Sequence, residues 1–563
     1  MRNALLLAAA LATGASMITA AKAEWTPPPA DTIYWNGPIY TADDAHPKVE
    51  AVAVIKGKVA FAGSRKYAEK YKGANTQIVD LKGATMFPGF TDAHAHLRSV
   101  GERELTLNLD TAKSLAEVMD AVKARAASEP SSALLFGRGW IETHWPEGRF
   151  PNRQDIDAVV SDRPVILERS DGHAVVVNSK ALALAGIDRN TPNPDGGTIN
   201  KDKAGEPDGM IVDNALGMIE KLIPEPDDAY RARAFKAAFD FETSHGWTGV
   251  HFMSAPWEDV LMLEDFAKKG EAPLRVYDAV VPEAAKNLLK DGPRSAADGR
   301  IITRTVKFYM DGALGSRGAA LLAKYEDADT DGLVRMKKED VLPVWEAALK
   351  SGIQITTHAI GDKGNRLVLD WYEEAFKAVP ARERTVEPPR WRIEHAQIIA
   401  LADIPRFAQL GVIPSMQPSH AIGDLDFAGK RLGQDRLKEG YAWASLIKAG
   451  SIIPGGSDAP VEKGDPRIEF YAAVARKALD GHSGPGWHPE EAVSRATALK
   501  MFTVWPAYAS FREKELGAIK PGMRADFTVF SKNLMTVPEP EILTAQALLT
   551  VLDGKEAFHA AGW

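Results

Sequence analysis

His94 and His96 stand two residues apart in the run Phe87-Pro88-Gly89-Phe90-Thr91-Asp92-Ala93-His94-Ala95-His96. Side chains alternate between the faces of a strand, so this spacing aims both imidazoles the same way. Two neutral nitrogen donors brought to one point suit a hydrolytic metal ion. One solvent-facing and one core histidine would give the same spacing, and the pair alone leaves both readings open. Other polar residues interrupt or end apolar runs further along. Lys307 sits inside Thr305-Val306-Lys307-Phe308-Tyr309-Met310, and His358 follows Ile353-Gln354-Ile355-Thr356-Thr357. Glu394-His395 follows Trp391-Arg392-Ile393, and Asp458 closes Ile452-Ile453-Pro454-Gly455-Gly456-Ser457. Imidazoles, a lysine and a carboxylate at one centre would serve metal-assisted hydrolysis, in which the ion lowers the pKa of bound water towards ~7 and polarises a carbonyl.

Separate elements must bring these residues together. The sequence predicts strands at 248–252, 304–310, 352–357, 390–393, 411–416 and 451–455, and helices at 341–350, 365–378, 404–409 and 441–448. Such alternation argues for a parallel sheet, and a run this long for a closed (β/α)8 TIM-like barrel with its chemistry at the C-terminal strand ends. An open doubly wound sheet is the alternative, and no Gly-x-Gly-x-x-Gly turn gives it a nucleotide role. His358 and His395 are 37 residues apart, one strand–helix unit, whereas the 211 residues from His96 to Lys307 exceed two or three units. That surplus predicts an inserted subdomain at about 131–223. Both chain ends carry short strand-like runs, such as Ala51-Val52-Ala53-Val54-Ile55 and Asp526-Phe527-Thr528-Val529-Phe530. They are read as one discontinuous β-sandwich domain, 24–85 with 511–563, around a barrel of 86–510.

The bulk properties narrow the partners. The 563 residues are 45% hydrophobic and 26% charged with a net charge of −8, an ordinary globular balance, and no basic tract suggests nucleic acid. There is no cysteine, which removes disulfides, thiolate ligands and thiol nucleophiles. Arg2, the apolar run 4–20 and Ala21-Lys22-Ala23 have the layout of a secretory signal peptide, 1–23. The protein is thus expected to be periplasmic or secreted, with no stable membrane insertion after signal removal; a retained N-terminal anchor is the alternative.

Taken together the motifs resemble the amidohydrolase superfamily, and within it family 3, the YtcJ-like branch. The resemblance spans nearly the whole mature chain. It rests on Pro88 to His96, Asp311-Gly312-Ala313-Leu314-Gly315-Ser316-Arg317-Gly318-Ala319, His358-Ala359-Ile360-Gly361-Asp362, Glu394-His395-Ala396-Gln397 and Gly456-Ser457-Asp458-Ala459-Pro460. Gly137-Arg138-Gly139-Trp140, Asp171-Gly172-His173-Ala174 and Asn178-Ser179-Lys180-Ala181-Leu182 extend it into the insertion.

The resemblance implies a centre for one or two divalent metal ions, with zinc the default for nitrogen and oxygen ligands. His94 and His96 would bind one ion, His358 and His395 a second, and Lys307, carboxylated on its ε-amine, would bridge them. Asp458 would contact the first ion and act catalytically, taking the proton of a metal-activated hydroxide and passing it to a leaving nitrogen. For Lys307 the alternative is an ion pair with Asp311 or Glu394, which would leave a mononuclear site. His173, Arg317 and Trp140 are candidate substrate contacts, against a plain loop histidine, a surface salt bridge and a core indole. His144, His245, His251, His420, His482, His488 and His559 carry no comparable context. The expected function is hydrolysis of a non-peptide amide-type carbon–nitrogen bond in a small molecule, with a homodimer suggested by the resemblance. The rivals are an ester, lactone or phosphoester hydrolase using the same site, and a non-catalytic periplasmic binding protein.

Overall fold

Seven strands run parallel in the order Phe90–Ala95, Trp247–Ala255, Arg275–Val280, Ile301–Tyr309, Gln354–Ala359, Arg392–His395 and Ile413–Ser415. The structure is a computed structural model, and it describes residues 27–128, 134–142, 145–169, 174–194, 197–223, 227–484 and 486–563. The signal peptide expected at 1–23 and His173 both lie outside the described residues. The seven strands are buried on both faces, which is why they read as near-continuous apolar runs. Between the last strand and the first lies the segment expected as a strand at 451–455. Pro454 there has no N–H to give a ladder, and Gly455 and Gly456 follow it, so only an isolated parallel bridge, Met416 to Gly455, forms. Ala93 N donating to Gly455 O at 3.0 Å and Asp458 N donating to His94 O at 2.6 Å then carry the ring round to the first strand. The fold is a TIM-like barrel.

Strand Arg275–Val280 was not expected, because Arg275, Tyr277 and Asp278 break up its apolar pattern, although all six residues are buried. A second sheet fills the long interval after His96, in the order Gly197–Lys201, Pro207–Asp213, Ala174–Val177, Val165–Arg169, Leu135–Trp140 and Leu107–Asn108. Its strand Leu107–Asn108 lies upstream of residue 131 and pairs through two residues only.

Both chain ends share one eight-stranded sheet. Phe527–Phe530 pairs antiparallel with Thr85–Pro88, so the C-terminal hairpin Ala547–Leu552 and Lys555–His559 continues the sheet of Thr32–Tyr40, Lys48–Ile55 and Lys58–Gly63. Buried residues lie on both faces of this sheet: Tyr34, Val52, Val54, Phe527 and Leu549 on one, Ile33, Trp35, Ala51 and Ala53 on the other. Aromatic rings join this sheet to the barrel, with Phe90 5.6 Å from Phe530 and 6.2 Å from Phe502. The chain enters the second barrel strand through helix Asp228–His245, which ends on Gly246 at φ 104°. A Cβ there would lie 2.8 Å from Thr528 Cγ2, so the turn needs glycine on two counts. Among the described residues no helix is long and apolar enough to cross a membrane.

Candidate metal centre

The C-terminal ends of the barrel strands converge on Asp458. His94, fully buried, comes from the first strand and His96 from the residue after it. His94 Nε2 lies 3.3 Å and His96 Nε2 3.2 Å from Asp458 Oδ1. His358 comes from the fifth strand and His395 ends the sixth, their ring centres 4.5 Å apart, and the His395 ring is 4.8 Å from that of His94. His94, His395 and Asp458 each offer one ligand atom, all within 4.8 Å of one another. His395 and Asp458 take left-handed backbone angles, φ 73° and 60°. Such angles are rare for side-chain-bearing residues and are kept where surrounding structure enforces them.

Hydrogen bonds fix which ring nitrogen faces inward. His94 Nδ1 donates to Glu394 Oε2 at 2.6 Å and His395 Nδ1 to Gln417 Oε1 at 2.8 Å, so both Nε2 lone pairs are free for the centre. Glu394 is held in turn by Arg392, whose Nε is 2.7 Å from Oε1, and by the Thr356 hydroxyl. Arg392 also donates to Ala93 O at 2.7 Å, Ser415 Oγ at 2.6 Å and His251 Nδ1 at 2.8 Å, tying four strands together beneath the centre. Asp92 performs the same service between the first strand and the closing segment. Its Oδ1 accepts from His94 N at 3.0 Å and Ser457 N at 2.9 Å, and its Oδ2 accepts from Ser457 Oγ at 2.5 Å.

Electrostatics set the protonation states. Burial drives His395 well below the usual imidazole range, and burial with the Lys307 charge brings His358 down to about 3, so both are neutral donors. Burial works to raise Asp458, but the His94 and His96 imidazoles beside it hold its carboxyl well below the ordinary range. Burial likewise opposes ionisation of Glu394, and Arg392 and His94 outweigh it. Burial lowers Lys307 to about 8.

The residues fit a divalent cation. His94 Nε2, His358 Nε2 and Asp458 Oδ1 are buried without a hydrogen-bond partner among the described residues. Leaving such atoms unpaired costs ~1–3 kcal/mol each, and neutral imidazoles with a carboxylate are the donors a zinc-like ion takes.

The remaining expected residues fall in different places. Lys307 is buried in the fourth strand with Nζ 5.1 Å from the Tyr309 ring centre. Among the described residues no carboxylate makes an ion pair with it, so the pairing with Asp311 or Glu394 is not formed. Asp311 is instead occupied by backbone N–H groups of Ile360 at 3.0 Å, Gly361 at 2.8 Å and Ala320 at 2.9 Å, pinning the loop after His358. Arg317 is not a free fork: its Nε and Nη2 bond Asp327 at 3.0 and 2.9 Å, because that carboxylate lies on the same loop. Trp140 is fully buried in the core of the second sheet, Nε1 donating to Leu167 O at 2.8 Å, and does not join the barrel-mouth cluster. Sequence reasoning passed over Glu394 as an orienting group, Gln417 and His420. His420 Nε2 lies 3.5 Å from Asp458 Oδ2 and its ring stacks on His395 at 5.7 Å. Its position just past the seventh strand end was the one available signal.

Comparison with known proteins places this geometry among relatives. Residues 77–558 match the profile described as the amidohydrolase family. A Bacillus subtilis protein, YtcJ, given as an amidohydrolase in its name, is 34% identical over 538 residues, covering 94% of this chain and 99% of that protein. N-substituted formamide deformylase of Arthrobacter pascens is 26% identical over 549 residues, covering 94% and 99%. A crystal structure of an uncharacterized metal-dependent hydrolase from Pyrococcus furiosus is 29% identical with a TM-score of 0.73, covering 90% of this chain and all of the other.

Proposed function

Since the chain belongs to amidohydrolase family 3, we propose that it is an exported metal-dependent hydrolase cleaving an amide-type, non-peptide carbon–nitrogen bond of a small molecule. The observation that carries this reading is the convergence of His94, His395 and Asp458 ligand atoms within 4.8 Å at the C-terminal mouth of the barrel. His94, His96 and Asp458 would hold one ion and His358 and His395 a second, with zinc the ion this donor set suits. When bound, such an ion supplies a nucleophilic water at neutral pH and polarises the substrate carbonyl. Asp458, ionised and within 3.3 Å of two imidazoles, accepts the proton of the attacking water at a carboxylate oxygen. It then returns that proton to the leaving nitrogen, which departs poorly without it. His358 and His395 stay neutral throughout and compete for no proton. Lys307, lowered by burial to about 8, would have a neutral amine fraction that could add carbon dioxide with release of a proton, and the anionic carbamate would help to hold the ions. The formamide deformylase among the relatives supports N-substituted formamides as the first substrates to try. The signal-peptide-like layout of residues 1–23 supports export, and a homodimer in solution is what the family resemblance suggests.

The test is metal content by inductively coupled plasma mass spectrometry on the mature protein and on Lys307→Ala, beside turnover of N-substituted formamides, anilides, esters and lactones. The expected result is close to two ions per chain, a sharp fall in the variant, and turnover confined to the carbon–nitrogen substrates. One ion, unchanged in the variant, would remove the carbamate bridge. Metal without turnover of any substrate would favour a binding protein.

A further inference from the structure

His420 has a hydrogen-bond donor left unspent at the centre. It leads off the seventh barrel strand, Ile413–Ser415, within the short helix Pro418–Asp424, and is 7% exposed. Gln397 Nε2 lies 3.0 Å from His420 Nδ1, and an amide nitrogen can only donate, so Nδ1 accepts and the ring proton of the neutral imidazole sits on Nε2. Gln397 is itself fixed, because its backbone oxygen accepts from Tyr441 N at 2.6 Å and its side chain is buried. The His420 ring cannot swing away, stacked on His395 with an interplanar angle of 18°. Its Nε2 therefore points at the Asp458 face of the centre, 3.5 Å from Oδ2, beyond the 2.7–3.2 Å range of a formed N–H···O bond. That atom is buried and without a partner among the described residues. A buried N–H left unpaired beside a reaction centre calls for an acceptor that arrives with the ligand.

We infer that His420 is a catalytic hydrogen-bond donor, its Nε2–H received by the oxygen on which negative charge gathers when the substrate carbonyl becomes tetrahedral. Gln397 is the positioning residue that keeps the proton on that nitrogen. The inference rests on the hydrolase reading above, since it assigns a donor to that same site. Preorganised donors of this kind, aimed where charge develops in a site shielded from water, contribute strongly to acyl transfer, with about 10²–10³ in kcat lost on removal of one. No bond to His420 is made or broken: the hydrogen bond strengthens as the oxygen gains charge and relaxes as the carbonyl re-forms.

The test uses metal-loaded mature enzyme and two readouts besides activity: metal stoichiometry, and the affinity of inorganic phosphate, a tetrahedral oxyanion, measured by titration calorimetry. His420→Phe keeps a ring against His395 and removes the donor; His420→Gln restores an amide N–H. The expected result is unchanged metal content in both, phosphate bound about tenfold more weakly by His420→Phe, and partial recovery in His420→Gln. With a turned-over substrate, kcat should fall about 10²-fold in the phenylalanine variant, with KM changed far less. Gln397→Met leaves His420 in place and frees its tautomer, so a smaller, about threefold, loss of phosphate affinity is expected even if His420→Phe does not fold. Phosphate affinity unchanged in His420→Phe and Gln397→Met would overturn the inference, as would loss of metal from a folded His420→Phe, which would make His420 part of the metal-holding set. Absence of amide turnover by the wild type would count against the hydrolase reading and leave the phosphate comparison standing.

Discussion

In the proposed function Asp458 does two things, holding an ion and moving a proton, and one substitution separates them. Asparagine keeps a ligand oxygen but cannot accept the proton, so Asp458→Asn should retain most of its metal while turnover falls by about 10²–10⁴. Mass-spectrometric metal content measured beside kcat on the same preparation checks this, and near-normal activity in the metal-replete variant would refute the role. Glu394 acts one step back, through the Nδ1 proton of His94 at 2.6 Å. Removing a carboxylate that orients a ligating imidazole typically costs 10–100-fold in metal affinity. Glu394→Gln should show that loss in competition with a chelator, together with destabilisation, because Arg392 is left buried beside a neutral amide.

At the scale of elements, the centre depends on how closely the closing segment approaches the first strand. A Cβ on Gly456 would lie 2.5 Å from His94 N and 2.9 Å from Asp92 Oδ1. Gly456→Ala must therefore push Asp458 away from His94 or break the Asp92 clasp, at an overpacking cost of about 1–3 kcal/mol. A folded protein with a lowered melting temperature and reduced metal occupancy is expected from calorimetry and metal analysis. Full occupancy would show that the segment has slack that the described packing denies it. The third strand shows the opposite burden on an element: Asp278 is buried against Thr303 Oγ1 at 2.9 Å and burial raises it to about 8, so it helps only while it keeps its proton.

Across the whole molecule, the barrel floor is fastened to the end-to-end sheet by a partly buried ionic lattice. Arg275 holds Asp526 at 2.5 and 2.8 Å and Asp553 at 2.6 Å; Arg524 joins Asp553 at 3.0 Å to Glu515 at 2.8 Å, and Arg512 holds Glu515 at 2.6 Å. Burial works to raise Glu515, but hydrogen bonds from Arg512 and Arg524 outweigh it and bring its carboxyl down to about 2. A folded value below the unfolded one means its contribution is complete above about pH 4.5 and is lost as pH falls towards 2. Acid unfolding monitored by circular dichroism should therefore show a shallower limb between those limits for Glu515→Gln, with a lower plateau at neutral pH. Arg275→Met should be the harsher change, about 3–5 kcal/mol in urea, since it leaves Asp526 buried without its guanidinium.

The amino-acid sequence by itself determined the barrel class, the strand ends that carry His94, His358 and His395, and the kinship with the amidohydrolase family. Those features are local: an apolar run, a polar residue at its end, and a repeat length that one strand–helix unit satisfies. Strand Arg275–Val280 was hidden because buried Arg275 and Asp278 are paid for by partners, Asp526 and Thr303, that no window of sequence contains. Trp140 and Arg317 looked equally available as substrate contacts until folding buried one in a second core and gave the other to Asp327. Glu394, Gln417 and His420 acquired their places only in three dimensions, since which nitrogen of an imidazole faces a centre depends on hydrogen bonds between strands far apart in the chain. Residue type and spacing decide which chemistry is available; tertiary contacts decide the orientation, the proton positions and the burial that make it usable.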